Sequence, residues 1–283
     1  FGDNFAVLRI PNLLAFVLYF FGTMRLIKEF KTPYLKLTSL IALNSIPFIM
    51  EYFGNARGYG ISLGFFIWGL VHLLNYFKTL GTKPLFYSYL FMGLAVSANL
   101  TFVNSCLIIL GMTIIAPFLS IEKRALKLKI LEWLFHVFFI LGLVPFVLFG
   151  FALKETGALY YGSLDGLWDV TGKSLTKYVL FVDHDWIRFI YLILFGVFLV
   201  YVFSLLKKLK TSVWFQQPYL IYSALFFGNL AAILVLAGFM EVNYPEDRTA
   251  MYLVILFLLL IFQLFESFKI GQWLQLGLLF FPA

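Results

Sequence analysis

Charge is what this sequence most conspicuously lacks. Asp, Glu, Lys and Arg together make up 12% of its 283 residues, against about 25% in an ordinary soluble domain, so a solvated surface around a core cannot be assembled from this composition. Cysteine occurs once, as Cys106 within an apolar run. That excludes an intramolecular disulfide and leaves an inert buried thiol. Histidine occurs three times. There is no Walker A loop, no Gly-rich dinucleotide turn, no HExxH and no nucleophile elbow, which removes soluble nucleotide chemistry.

What is present is hydrocarbon. Hydrophobic residues make up 62% of the chain and aromatics 20%, and the mean hydropathy is +0.94. Apolar runs of about 17 to 23 residues are separated by short charged loops, which specifies an all-α polytopic membrane protein, a single transmembrane domain over 1–283, and excludes a β-barrel with its alternating ten-residue strands. Nine spans are expected, at about 11–27, 34–52, 59–77, 84–99, 101–119, 130–152, 187–206, 218–239 and 250–267. The fourth and fifth are one run divided at Ala98-Asn99-Leu100-Thr101, where a re-entrant pair is an alternative. Neither Met nor a basic n-region precedes the first run, and the apolar stretch after Gly271 is too short to cross, so the chain reads as part of a longer protein.

The net charge of +7 reports topology rather than nucleic acid. With the amino end outside, 14 of the 21 basic residues fall on inner loops, from Arg25, Lys28 and Lys31 to Lys207, Lys208, Lys210 and Lys269, and 7 outside; 10 of the 14 acids fall outside. The positive-inside rule selects this orientation.

Two polar interruptions carry a guanidinium at the mouth of apolar helices: Tyr52-Phe53-Gly54-Asn55-Ala56-Arg57-Gly58-Tyr59-Gly60 and Tyr244-Pro245-Glu246-Asp247-Arg248-Thr249-Ala250. Both arginines fall on the outer side at helix starts, where backbone N–H groups also point at an anion, and this combination suits a phosphate. The alternative is an ion pair, Arg57 with Glu51 and Arg248 with Glu246 or Asp247. Arg9 is a third outer arginine, read as an interfacial anchor.

Lys154 to Trp186 is the one long outer connection, a structureless segment of the kind that forms lids. Its Tyr160, Tyr161, Asp165, Trp168 and Asp169, with Tyr59, have the composition of a surface that stacks on sugar rings and binds hydroxyls; interfacial anchoring is the other reading. In Asp183-His184-Asp185-Trp186 an N-cap role for Asp185 outweighs a metal, since neighbours in sequence seldom converge on one ion. His72, His136, Asn99, Asn104 and Asn229 read as intramembrane hydrogen-bonding groups.

Phe1-Gly2-Asp3-Asn4-Phe5-Ala6-Val7-Leu8-Arg9-Ile10-Pro11-Asn12-Leu13-Leu14 resembles the entry into the second span of the GT-C glycosyltransferases, among them the protein mannosyltransferases and the bacterial aminoarabinose transferases. Asn55-Ala56-Arg57-Gly58-Tyr59 is similar to their "ARxY" opening of the fourth span, and Pro245-Glu246-Asp247-Arg248 to their late "P..R" segment. The resemblance implies a multi-pass enzyme of a bacterial inner membrane that transfers a sugar from a polyprenyl-phosphate donor, with a catalytic carboxylate upstream of Phe1, Arg57 and Arg248 on the lipid phosphate, and a divalent metal as the one cofactor it leaves room for. Its partners would be polyprenyl-phosphate lipid, membrane lipids and protein subunits. The alternatives are a non-catalytic membrane subunit and, third, a transporter.

The charge division carries a topology expectation. Cysteines introduced into the loops at 78–83 and 207–210 should be shielded from a membrane-impermeant thiol reagent in intact cells, and one at Ser163 should label; the reverse pattern overturns the orientation.

Overall fold

The computed structural model describes residues 5–55, 57–119, 126–158 and 162–268, which form helices α1 (Phe5–Leu26), α2 (Pro33–Ser45), α3 (Pro47–Gly54), α4 (Gly58–Thr79), α5 (Thr82–Ala98), α6 (Val103–Leu119), α7 (Leu126–Glu155), α8 (Lys173–Leu180), α9 (Ile187–Lys208), α10 (Pro218–Met240) and α11 (Met251–Phe268), with no strand among the described residues. Seven helical segments are long and apolar enough to cross a membrane, and the bent pair α2–α3 makes an eighth. The protein is therefore an all-α, multi-pass membrane protein.

Nine spans were expected, and two of them differ. Residues 34–52 are not one helix: the chain bends by 54° between Ser45 and Pro47. Pro33, Pro47 and Pro218 each stand in the first turn of a helix, where the missing N–H costs nothing. The fourth expected span, α5, has 17 residues, about 25 Å of rise against a hydrocarbon core of about 30 Å. It does not turn back halfway. α5 lies antiparallel along α4, with Ser88 Oγ donating to the Gly69 carbonyl at 3.1 Å and Ala98 brought against Gly58. α6 then packs beside it.

Burial sorts the helices. The most apolar windows of α11 and α4 are 78% and 72% buried, those of α7 and α9 only 17% and 6%. α4 and α11 are therefore the centre of the bundle, and α7 and α9 show most of their apolar side chains to lipid. Glycine lets α1 approach α4: a Cβ on Gly64 would meet the Ala15 carbonyl oxygen at 3.0 Å, and one on Gly22 the Ile67 side chain at 2.5 Å. Small residues at such crossings take the role that apolar burial has in water.

Polar groups inside the bundle answer to one another. Proline at 47 removes the N–H that the Leu43 carbonyl would accept four residues back. The buried Tyr19 hydroxyl of α1 donates to that carbonyl at 2.7 Å. Pro117 similarly strips the donor from Thr113, and the buried Tyr76 hydroxyl of α4 lies 3.2 Å from the Thr113 carbonyl. Around Thr113 the pattern extends: Tyr76 also donates to the Glu132 carboxylate of α7, and the Tyr89 hydroxyl is 2.6 Å from both Thr113 Oγ1 and His136 Nδ1. Asn229 is held by Ser105 and by the Leu225 carbonyl. His136 and Asn229 are thus hydrogen-bonded inside the membrane, as their residue types led us to expect.

The two ends of the bundle are chemically distinct. At the basic end Glu29 pairs with Lys78, and the Glu266 carboxylate accepts the Lys31 and Thr32 N–H groups at 3.0 and 3.3 Å. Phe30 and Phe77 pack there on Phe262 and Phe215. The other, acidic end gathers the α3–α4 corner, the 156–186 connection and the turn before α11.

The replacement of a proline-orphaned bond by a tyrosine is testable with a double-mutant cycle. Tyr19→Phe should destabilise the detergent-solubilised protein by about 1–3 kcal/mol, the cost of a stranded buried acceptor. In a Pro47→Ala background the restored N–H should remove most of that penalty. Equal penalties in the two backgrounds would mean that Tyr19 does not stand in for the lost donor.

Candidate functional site

The α3–α4 corner is where both sequence interruptions come to matter. α3 ends at Gly54, Asn55 and Arg57 are extended, and α4 starts at Gly58, so carbonyls leave their helical partners at the edge of the hydrocarbon. Asn12 of α1, 2% exposed, meets them. Its amide donates to the Asn55 and Arg57 carbonyls, and its Oδ1 accepts the Ile61 N–H at 3.1 Å. The N–H groups of Gly58, Tyr59 and Gly60, which no carbonyl of their own helix can reach, remain the donors of this terminus.

Arg57 is exposed at this corner. Among the described residues its guanidinium makes no ion pair, so the expected alternative partner, Glu51, does not hold it. Arg248 stands, as expected, at the start of the last span, Asp247–Phe268, in the 3-10 turn Asp247–Ala250 that opens it. Its Cζ lies 5.6 Å from the centre of the Tyr59 ring, within cation–π range, and Tyr59 stands edge-on to Tyr52 at 5.5 Å. Two segments almost two hundred residues apart in sequence therefore meet at the first turn of α4.

Asp247 completes the turn. Its φ is 49°, a left-handed conformation that side chains other than glycine adopt at a cost, and its N–H donates to Ser174 Oγ at 3.1 Å. Its Oδ1 is buried with no hydrogen-bond partner among the described residues. A strained backbone and an unsatisfied buried oxygen beside a guanidinium are features that cluster at functional sites.

The long connection is not structureless. Trp168–Gly172 forms a π-helical turn that continues into α8, and the segment is pinned to the irregular stretch before α11. Thr171 Oγ1 donates to the Pro245 carbonyl at 2.6 Å, the Tyr244 N–H to Ser163 at 2.9 Å, and Asn243 Nδ2 to Gly162 at 3.1 Å. Gly162 has φ 84°, and a Cβ there would strike the Tyr244 carbonyl oxygen. Tyr178 of α8 stacks on Phe48 of α3 at 5.2 Å. Helix formation went unseen because α8 is short and its polar face breaks any apolar run.

The remaining expected pocket residues divide. Tyr160 and Tyr161 lie outside the described residues. Asp165 accepts the Ser163 hydroxyl at 2.6 Å and is exposed. Asp169 pairs with Lys173 at 2.9 Å, and Lys173 reaches Asp185 at 3.0 Å. These bonds raise the Lys173 pKa above its ordinary value, and Lys173 lowers that of Asp185. Asp185 is thus an ion-pair residue and not the cap of α9, whose N-cap is Trp186. With Asp183 4.0 Å from Lys177, the acids flanking His184 face lysines. Among the described residues no three His, Cys, Asp or Glu side chains gather to hold a metal.

The Trp168 ring lies 5.9 Å from that of Tyr191 of α9. It lines a crevice of about 260 Å³ between α9, α10 and α11, roofed by the apolar face of α8 through Leu175 and Val179 and floored by Phe257. The Thr171 and Thr176 hydroxyls in its wall are spent on the Pro245 and Gly172 carbonyls. Arg188 is the charged group of the lining; it lies 4.9 Å over Phe189 and makes no ion pair among the described residues. Asn12 and Arg188 were not singled out from sequence, and Asp247 only as an ion-pair partner for Arg248. Only Asn12 had a signal, a lone amide immediately after Pro11 in an otherwise apolar stretch.

Asn12→Ala should lower stability by about 1–3 kcal/mol and deprotect the Ile61 amide in hydrogen exchange, because that N–H and the Asn55 and Arg57 carbonyls lose their buried partner. Unchanged exchange at that amide would show that water or another side chain satisfies it.

Comparison with known proteins finds no matching family model, curated protein or solved structure.

Proposed function

We propose that the chain is a GT-C-like membrane glycosyltransferase that takes a sugar from a polyprenyl-phosphate donor at the acidic end of the bundle, the outer face of a bacterial inner membrane in the orientation drawn from the basic loops. The observation that carries this reading is the approach of Arg248 to Tyr59, which brings the two arginine-bearing interruptions to one corner. In this reading Arg57 and Arg248 hold the lipid phosphate. Bidentate guanidinium contacts suit phosphate oxygens better than lysine does. Tyr59 and Tyr52 offer aromatic faces beside them, and the crevice under α8 gives the hydrocarbon chain an apolar seat at the same end.

In the reaction a carboxylate takes the proton of the acceptor hydroxyl, the oxygen attacks the anomeric carbon, and the sugar–phosphate bond breaks while the arginines stabilise charge on the departing phosphate. The family pattern puts that carboxylate upstream of Phe1. Within the described residues Asp247, with its buried unpartnered oxygen beside Arg248, has the chemistry for the same role. A non-catalytic subunit would keep the corner without the turnover.

Arg57→Ala and Arg248→Ala should each weaken binding of undecaprenyl phosphate to the purified protein by about 1.5–3 kcal/mol, the range for a hydrogen bond to a charged group. The double variant should depart from the sum of the singles by more than about 0.5 kcal/mol, because both act on one phosphate. Lysine at either position should recover part of the loss. Unchanged lipid affinity with lowered folding yield would make both arginines structural and favour the subunit reading.

A further inference from the structure

The basic end of the bundle carries a second feature that the reading above does not use and does not depend on. Leu14, Val17, Leu18 and Phe21 of α1, with Trp68 of α4 across from them, line an open groove of about 560 Å³ that ends at Arg25 and Lys28. The spacing of these residues puts them on one face of the helix. From Leu14 to Lys28 the groove runs about 21 Å, more than the roughly 15 Å depth of one leaflet's hydrocarbon. Trp68 closes one wall rigidly, because its indole N–H donates to the Leu18 carbonyl at 2.8 Å.

Charge at the two ends of the groove is unequal. Leu14 is 64% exposed and Phe21 54%, and no acid lines the walls. Arg25 and Lys28 are exposed at the basic end, and among the described residues neither side chain makes an ion pair or a hydrogen bond. The acid nearest in sequence, Glu29, is engaged by Lys78. Two unneutralised cations therefore stand at the end of an apolar furrow long enough to cross one leaflet.

We propose that this groove is a specific site for an anionic glycerophospholipid of the leaflet on the basic side, with the phosphodiester between Arg25 and Lys28 and one acyl chain laid along Phe21, Leu18 and Leu14. Basic pockets beside transmembrane helices recognise anionic headgroups in this way. A zwitterionic lipid would bring a second cation to the same place and is disfavoured. The unequal ends also fix the direction of the lipid.

The test is retention of phosphatidylglycerol, with phosphatidylcholine as the reference probe, by the purified full chain in native mass spectrometry. Arg25→Gln and Lys28→Gln should each weaken phosphatidylglycerol retention about fivefold, the factor for one basic residue at an anionic lipid surface, and the pair about thirtyfold. Val17→Trp, which fills the furrow from an exposed position, should lower retention with both charges intact. Lys207→Gln with Lys208→Gln removes as much charge from the same end of the bundle without touching the groove, and should leave retention unchanged. All five positions are exposed, so the variants should keep the wild-type elution volume and helicity. Equal loss in the Lys207/Lys208 pair would mean diffuse attraction to a basic surface. Equal retention of phosphatidylcholine would mean chain packing alone, and no change in the Arg25/Lys28 pair would mean no headgroup contact. Each of these results overturns the site.

Discussion

A backbone carbonyl released inside hydrocarbon has no water to turn to, and that constraint organises this bundle. Prolines at 47 and 117 release two such carbonyls, at Leu43 and Thr113. In each case a fully buried tyrosine from a different helix supplies the hydroxyl, Tyr19 from α1 and Tyr76 from α4. The break between α3 and α4 releases more, and Asn12 of α1 answers there. α1 and α4 are thus tied to their neighbours at the very points where those neighbours fail as helices. In membrane each unpaired group would cost several kcal/mol, so these ties fix which helices are adjacent more firmly than apolar contact, which lipid supplies equally well.

The class of the protein was legible in the sequence because hydropathy over twenty residues is a property of composition, and most span boundaries followed. The bend at Pro47 was not, although the proline stands in plain view at the middle of 34–52. A window that sums hydropathy is blind to a missing donor, and whether a proline breaks a span depends on whether another helix can satisfy the carbonyl it frees. The 156–186 connection failed for the opposite reason. Its helix is amphipathic and short, and what orders it is a set of long-range bonds from Thr171, Ser163 and Gly162 to the 243–247 stretch, which no local pattern announces.

At the candidate site the sequence located the interruptions but not the contacts between them. Arg57 and Arg248 were singled out as cations at helix starts, and both stand there. That Arg248 reaches the Tyr59 ring from the 3-10 turn that opens the last span is visible only in the fold. The acids and aromatics of the long connection, grouped by composition as one surface, separate once folded: Asp165 and Asp169 stay with Ser163 and Lys173, and Trp168 packs into the crevice. Composition can say that a loop is suited to sugars or to an interface; only the hydrogen-bond geometry of the backbone says which side chains share a direction.

Rigidity is distributed unevenly around this site, and the distribution follows from the same constraint. The α3–α4 corner is held by Asn12 and by the Tyr52–Tyr59 contact, and the turn before α11 by Thr171 and Ser174. A ligand recognised between them would meet groups already in place, which spares the entropy of ordering them. α9 stands at the other extreme. Its window is 6% buried, and the hydrogen bond it receives from α10, from the Tyr219 hydroxyl to the Phe198 carbonyl, lies in the half of α9 toward the basic end. Toward the acidic end α9 meets its neighbours through aromatic contacts of Tyr191 and Phe195 that border the crevice. Beside the hydrogen bond between Tyr191 and Thr176, those contacts are non-directional and of a kind that lipid supplies equally well, so α9 is tied to this end of the bundle by fewer polar bonds than the corner bearing Arg57 and the turn bearing Arg248.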